Sequence, residues 1–81
     1  MEAEVLDTER VQKLRSNKGL TDGMWIIRRL GMKRTAGYAL LRDGRLPKDP
    51  KVRRKVLKDL GDLLDADERQ LVVRLVAKRA V

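Results

Sequence analysis

The stretch from Thr21 to Pro47, TDGMWIIRRLGMKRTAGYALLRDGRLP, constrains the fold more than any other part of the chain. Two short apolar patterns of helical period meet there at Leu30-Gly31-Met32, where the glycine closes one helix and lets the chain turn sharply. The first pattern opens at Thr21 or Asp22 as N-cap. It should bury Met24, Ile27 and Leu30, with Trp25 and Ile26 alongside, and leave Arg28 and Arg29 outside. Trp25 is expected in the core, because single-strand binders need several aromatic platforms and this chain has one Trp and one Tyr. The second pattern runs from about Arg34 to Arg42, with Tyr38, Leu40 and Leu41 as its buried stripe. It stops at Asp43-Gly44, and Pro47 keeps the residues before it out of a helix.

Two such helices joined at a glycine predict a helix-turn-helix over about 21–44. The second helix begins with Lys33, Arg34 and Thr35, donors placed where major-groove base edges and flanking phosphates would lie. Cations are mildly unfavourable at a helix N-terminus, so two of them without a local acid point to a ligand rather than to helix stability. The expected base contacts are Lys33, Arg34, Thr35 and Gly37, the last as a small residue that lets backbone approach the groove. Arg28, Arg42, Arg45, Lys48, Lys51 and Arg54 are the expected phosphate contacts, which set register without reading sequence. For several of these, Arg28 above all, the alternative is a solvated helix face.

The remainder reads as helical scaffold. Met1 to Leu6 is expected to fray, and a first helix starts at Asp7, buries Val11 and Leu14, and ends at Gly19. Asp49-Pro50 starts a fourth helix that runs to about Leu64 with an apolar stripe of Val52, Val56, Leu60 and Leu63, widened by Leu57 and Leu64. Gly61 is expected to loosen that helix or end it early. Asp65-Ala-Asp-Glu68 has capping-box spacing and predicts a C-terminal helix over about 66–80. In that helix Leu71, Val72, Leu75 and Val76 recur at helical positions, with Val73 off the stripe; the run either completes the core or pairs two copies in a homodimer. At 81 residues the chain has room for one domain, 1–81, burying about 60 % of its unfolded surface. The expected class is all-α.

Composition narrows the chemistry. Without Cys or His the chain has no disulfide, thiolate, imidazole base or common zinc site, and no nucleophile–base pair or phosphate-binding glycine loop appears, so neither enzyme activity nor a cofactor is expected. Asp59, Asp62, Asp65, Asp67 and Glu68 lack calcium-loop spacing and read as caps and solvated charge. No apolar run approaches membrane-spanning length or a signal peptide's core, which leads to an expected cytoplasmic location with no membrane partner. The net charge of +8 is strongly blocked: residues 1–9 hold four acids and no base, 10–58 hold sixteen Lys or Arg against three Asp, and 59–68 hold five acids. A basic block of that size is a field directed at a polyanion.

These residues also resemble the phage-repressor and Cro-like (lambda repressor-like) helix-turn-helix family. The likeness rests on KLRSNKGLT at Lys13 to Thr21, IIRRLGM at Ile26 to Met32, and YALLRDGRLP at Tyr38 to Pro47. Tyr38, Leu41 and Gly44 match the spacing that closes the family's recognition helix. Asp22 or Gly23 stands where many members carry a Gln, and the turn before Tyr38 is one residue longer than the common pattern. The resemblance implies a compact five-helix bundle with a central helix-turn-helix and a role as a small transcriptional regulator or repressor in a bacterial or phage-infected cell. It implies sequence-specific binding of double-stranded DNA, with no small-molecule substrate. Two rival expectations are a nonspecific architectural nucleic-acid binder and an antitoxin-type protein-interaction module.

Overall fold

A computed structural model describes residues 2–76. Within them the chain runs β1 (Glu2–Leu6), α1 (Thr8–Lys18), α2 (Gly23–Arg29), α3 (Arg34–Asp43), α4 (Pro50–Leu64), α5 (Glu68–Leu71) and β2 (Val72–Val76). It is mostly helical with a small two-stranded sheet, which corrects the all-α expectation.

Aspartate starts four of the five described helices. Asp7 accepts from the Arg10 N–H at 3.2 Å, Asp22 from Met24 at 3.0 Å and Trp25 at 3.4 Å, Asp49 from Lys51 at 2.9 Å, and Asp67 from Arg69 at 3.0 Å. Each bond satisfies a first-turn amide that the helix itself cannot reach. Asp49 is followed by Pro50, whose missing N–H costs nothing at that position. Helix ends are equally local. After α2, Gly31 takes φ 68 and donates to the Arg28 carbonyl at 3.1 Å, while Met32 N–H reaches back to Ile27 at 3.2 Å. This pair of bonds turns the chain within two residues.

The two ends of the chain depart from the sequence reading. Residues expected to fray form β1, which pairs antiparallel with β2 in the register Glu2↔Val76 through Leu6↔Val72. The expected C-terminal helix lasts four residues, Glu68–Leu71, before the backbone becomes extended; its expected portion beyond residue 76 lies outside the described residues. Valine-rich VVRLV favours a pleated strand once a partner is present, and the N-terminal segment supplies one. The capping box also shifts by two residues. Asp65 takes the left-handed conformation, φ 54, and ends α4, while Asp67 and Gln70 cap each other's backbone to start α5.

The core joins all of these elements. Leu6, Val11, Ile26, Leu30, Leu40, Val56, Leu57, Leu60, Leu64 and Leu71 form one buried cluster, and no polar side chain is buried among the described residues. Leu6 N–H donates to the Gly44 carbonyl at 2.9 Å and Asp7 N–H to the Leu71 carbonyl at 2.7 Å, which ties the sheet to the ends of α3 and α5. Gly61 does not interrupt α4: it is buried where the chain after the helix folds back, and a Cβ there would come 2.8 Å from the Ala66 carbonyl oxygen. Val52, expected in the buried stripe of α4, is 46 % exposed, because the core ends one turn short of it. No helix among the described residues is long and apolar enough to cross a membrane.

Candidate nucleic-acid interface

The helix that carries the expected base contacts is held from behind. α3 packs on α2 at Gly37, where an added Cβ would come 2.5 Å from both Ile27 Cγ1 and Cγ2. Ile27 is buried and β-branched, so it has little freedom to move aside. Gly37 is therefore a packing residue facing α2, which corrects its expected place among the base contacts. Leu40 is buried on the same inner side of α3. Arg15 braces the approach to α2: its Nε donates to the Leu20 carbonyl at 3.0 Å and its Nη2 to that of Thr21 at 3.1 Å.

The outer side of α3 is a cationic face. Lys33, Arg34, Thr35 and Arg42 are exposed, and Arg34, Thr35, Tyr38, Arg42 and Arg45 border one shallow concavity that holds a single acid, Asp43. Tyr38 was expected to be buried, but it is 37 % exposed and belongs to this face. Residues 34, 38 and 42 lie four apart, one above the next on a helix, which is the sequence signal for their grouping. Helix α3 also lacks what the other four have. Its N-cap is Lys33, with no side-chain acceptor for the first-turn amides. The dipole end and the cations of Lys33 and Arg34 thus add as positive potential in one place.

The expected phosphate contacts fall into separate groups. Arg42 and Arg45 share the concavity of α3. Lys48 is exposed in the following loop, and Lys51 and Arg54 lie with Lys55 and Lys58 on the outer side of α4. Arg28 is exposed near the end of α2 and borders neither group. Arg10–Asp7, Lys18–Asp65 and Arg42–Asp43 form ion pairs at 3.8, 3.7 and 4.0 Å, all at the surface. Exposed pairs of this kind contribute little. Lys33, Arg34, Arg45, Lys48, Lys51 and Arg54 are left unneutralised by any described residue.

Trp25 is 43 % exposed rather than part of the core, with the Arg29 guanidinium carbon 5.6 Å from its ring centroid. Residues i and i+4 of a helix stack in this way, and the contact shields one ring face outside the core. The residues expected to pair two copies are divided. Leu71 is fully buried within its own chain and Val72 partly so, whereas Val73 is 38 % exposed. Leu75 and Val76 belong to β2, so the apolar helical stripe that motivated a dimer is not formed.

Comparisons with protein-family models, with curated proteins and with solved structures give no match to this chain.

Proposed function

We propose that this chain is a sequence-specific duplex-DNA-binding protein, a small transcriptional regulator in which α2 and α3 form a helix-turn-helix and α3 enters the major groove. One observation carries the reading: Arg34, Thr35, Tyr38, Arg42 and Arg45 converge on the exposed side of the one helix whose N-terminus is cationic and uncapped. Every other described helix start is closed by an aspartate. A groove-inserted helix needs its first turns accessible and positive, and α3 meets both conditions. In this reading Lys33, Arg34 and Thr35 meet base edges or the nearest phosphates, and Arg34 has the fork geometry for guanine O6 and N7. Arg42, Arg45, Lys48, Lys51 and Arg54 fix the register on the backbone.

Selection of bound duplexes from a random library near physiological salt tests this directly. An enriched motif, preferred roughly a thousandfold over its scramble in anisotropy titrations, is the expected outcome. A palindrome within it, with half-sites about 34 Å apart, would require two copies. Equal affinity for all duplexes, with one steep salt slope, would replace sequence reading by architectural binding.

A further inference from the structure

The apolar stripe of α4 outruns the core, and its surplus is not isolated. Val52 and the buried Val56 line a groove of about 500 Å³ between α4, the N-terminal part of α3 and the loops on either side of α3. Met32 and Leu46, both partly buried against the core, extend the apolar floor, and Ala36 and Ala39 are too small to fill it. The charged residues around it are Lys33, Arg45, Lys48 and Lys55, all exposed, with no acid among the lining residues.

A phosphate backbone would use these cations but has nothing to place on the apolar floor. A small hydrophobic acid would suit the volume, since ligand pockets span roughly 300–1,000 Å³. One carboxylate, however, cannot answer four cations contributed by α3, two loop positions and α4. An amphipathic helix can, because its apolar anchors recur at i, i+3, i+4 and i+7 while acids on its flanks reach both rims.

We infer that this groove docks an acidic amphipathic helix of a partner protein, with aliphatic anchors over Met32, Leu46 and Val52 and carboxylates facing Lys33, Arg45, Lys48 and Lys55. The docking itself stands apart from the DNA reading. Its regulatory consequence rests on that reading: Lys33, Arg45 and Lys48 line the groove and are also proposed DNA contacts, so partner and duplex exclude each other.

The test uses the full chain and a fluorescein-labelled synthetic peptide of about 14 residues, Leu at i, i+3, i+4 and i+7 and Glu on the flanks. Its controls are a scramble of the same composition and oligoglutamate of equal charge. The amphipathic peptide is expected to bind at least about tenfold more tightly than either control, and Val52→Gln should erase that preference. Val52 lies outside the core, so this variant should keep the thermal midpoint of the parent. Equal binding of peptide and scramble, or a preference that survives Val52→Gln, overturns the docking site. Saturating peptide should then release a library-selected duplex. Peptide that binds while the duplex stays in place overturns the exclusion. A chain that selects no duplex fails the DNA reading, and the peptide titration alone then decides the groove.

Discussion

Helices α3 and α4 both show a cationic side to solvent and both turn a glycine inward, yet they are stabilised in different ways. α4 carries its own start signal, Asp49 with Pro50, and buries Val56, Leu57, Leu60 and Leu64 along fifteen residues. α3 has Lys33 at its cap, no side-chain cap bond, and only Gly37 and Leu40 buried along ten residues. It is held from outside, by Ile27 against Gly37 and by the Leu6 bond to Gly44. The contrast teaches that a helix start can be left open when neighbours fix the helix. In α3 the open end coincides with the proposed contact surface.

The largest effect should come from filling the α2–α3 contact. Gly37→Val places new atoms where even a Cβ meets three Ile27 carbons at 2.5–2.8 Å. Overpacking of a rigid contact costs about 3 kcal/mol, a large share of the roughly 4–12 kcal/mol available to a chain of this size. Urea unfolding should show the loss. Gly37→Ala is milder, and combining it with Ile27→Ala, which removes all three opposing carbons, should cost less than the two single changes added together. Strict additivity would show that α3 is not seated on Ile27. At Gly61 of α4 the opposing atom is the backbone oxygen of Ala66, so no side-chain truncation should relieve Gly61→Ala.

Next in size is the proposed division of labour between the two helices on DNA. Arg34→Ala should cost about 1–3 kcal/mol, confined to one base position of the selected motif. Lys51→Ala should weaken every duplex alike and lower the salt slope by about one. Uniform weakening by Arg34→Ala would move it to the phosphate contacts and take sequence reading away from the first turn of α3.

Much of this contrast is legible in sequence because cap chemistry is local. Asp7, Asp22 and Asp49 lie immediately before apolar periodic runs, and Gly31 lies between two such runs, so the first four helices are found where their signals stand. Lys33, Arg34 and Thr35 are polar residues beside a turn, and their exposure follows. What escapes depends on distant partners or on rotation about a helix axis. Leu71, Val72, Leu75 and Val76 have helical spacing, but β2 forms because Glu2–Leu6, at the other end of the chain, lies beside it. Its β-branched valines were the available hint. In α2, Met24 to Ile27 is a continuous apolar run, so periodicity alone cannot say that Ile26 and Ile27 go inside and Trp25 stays out. Tyr38 stands three residues before Leu41, which suggests the buried stripe, but it also stands four from Arg34 and Arg42, and that second spacing prevails. The groove under Val52 needs the Arg45–Lys48 loop and α4 in place before it exists.

The smallest and most diagnostic change transfers to α3 the cap that α4 already has. Lys33 has φ −69 and ψ 151, close to the −70 and 120 of Asp49, so Lys33→Asp needs no backbone adjustment to accept a first-turn N–H. The new cap should add about 0.5–1 kcal/mol, and replacing a cation by an acid at the positive end of the dipole acts in the same direction. For a domain of this size that raises the thermal midpoint by a few degrees, at most about 8 °C. Asp49→Ala should do the reverse to α4 and leave the selected DNA motif unchanged. Lys33→Ala separates the two consequences at α3, since it removes the cation without supplying an acceptor. If the proposed contact surface is correct, both Lys33 variants weaken duplex binding, Asp more than Ala, while only Asp stabilises the free protein. An Asp variant no more stable than the Ala variant would mean that the first-turn amides of α3 are already satisfied by water, and that its open start costs the fold nothing.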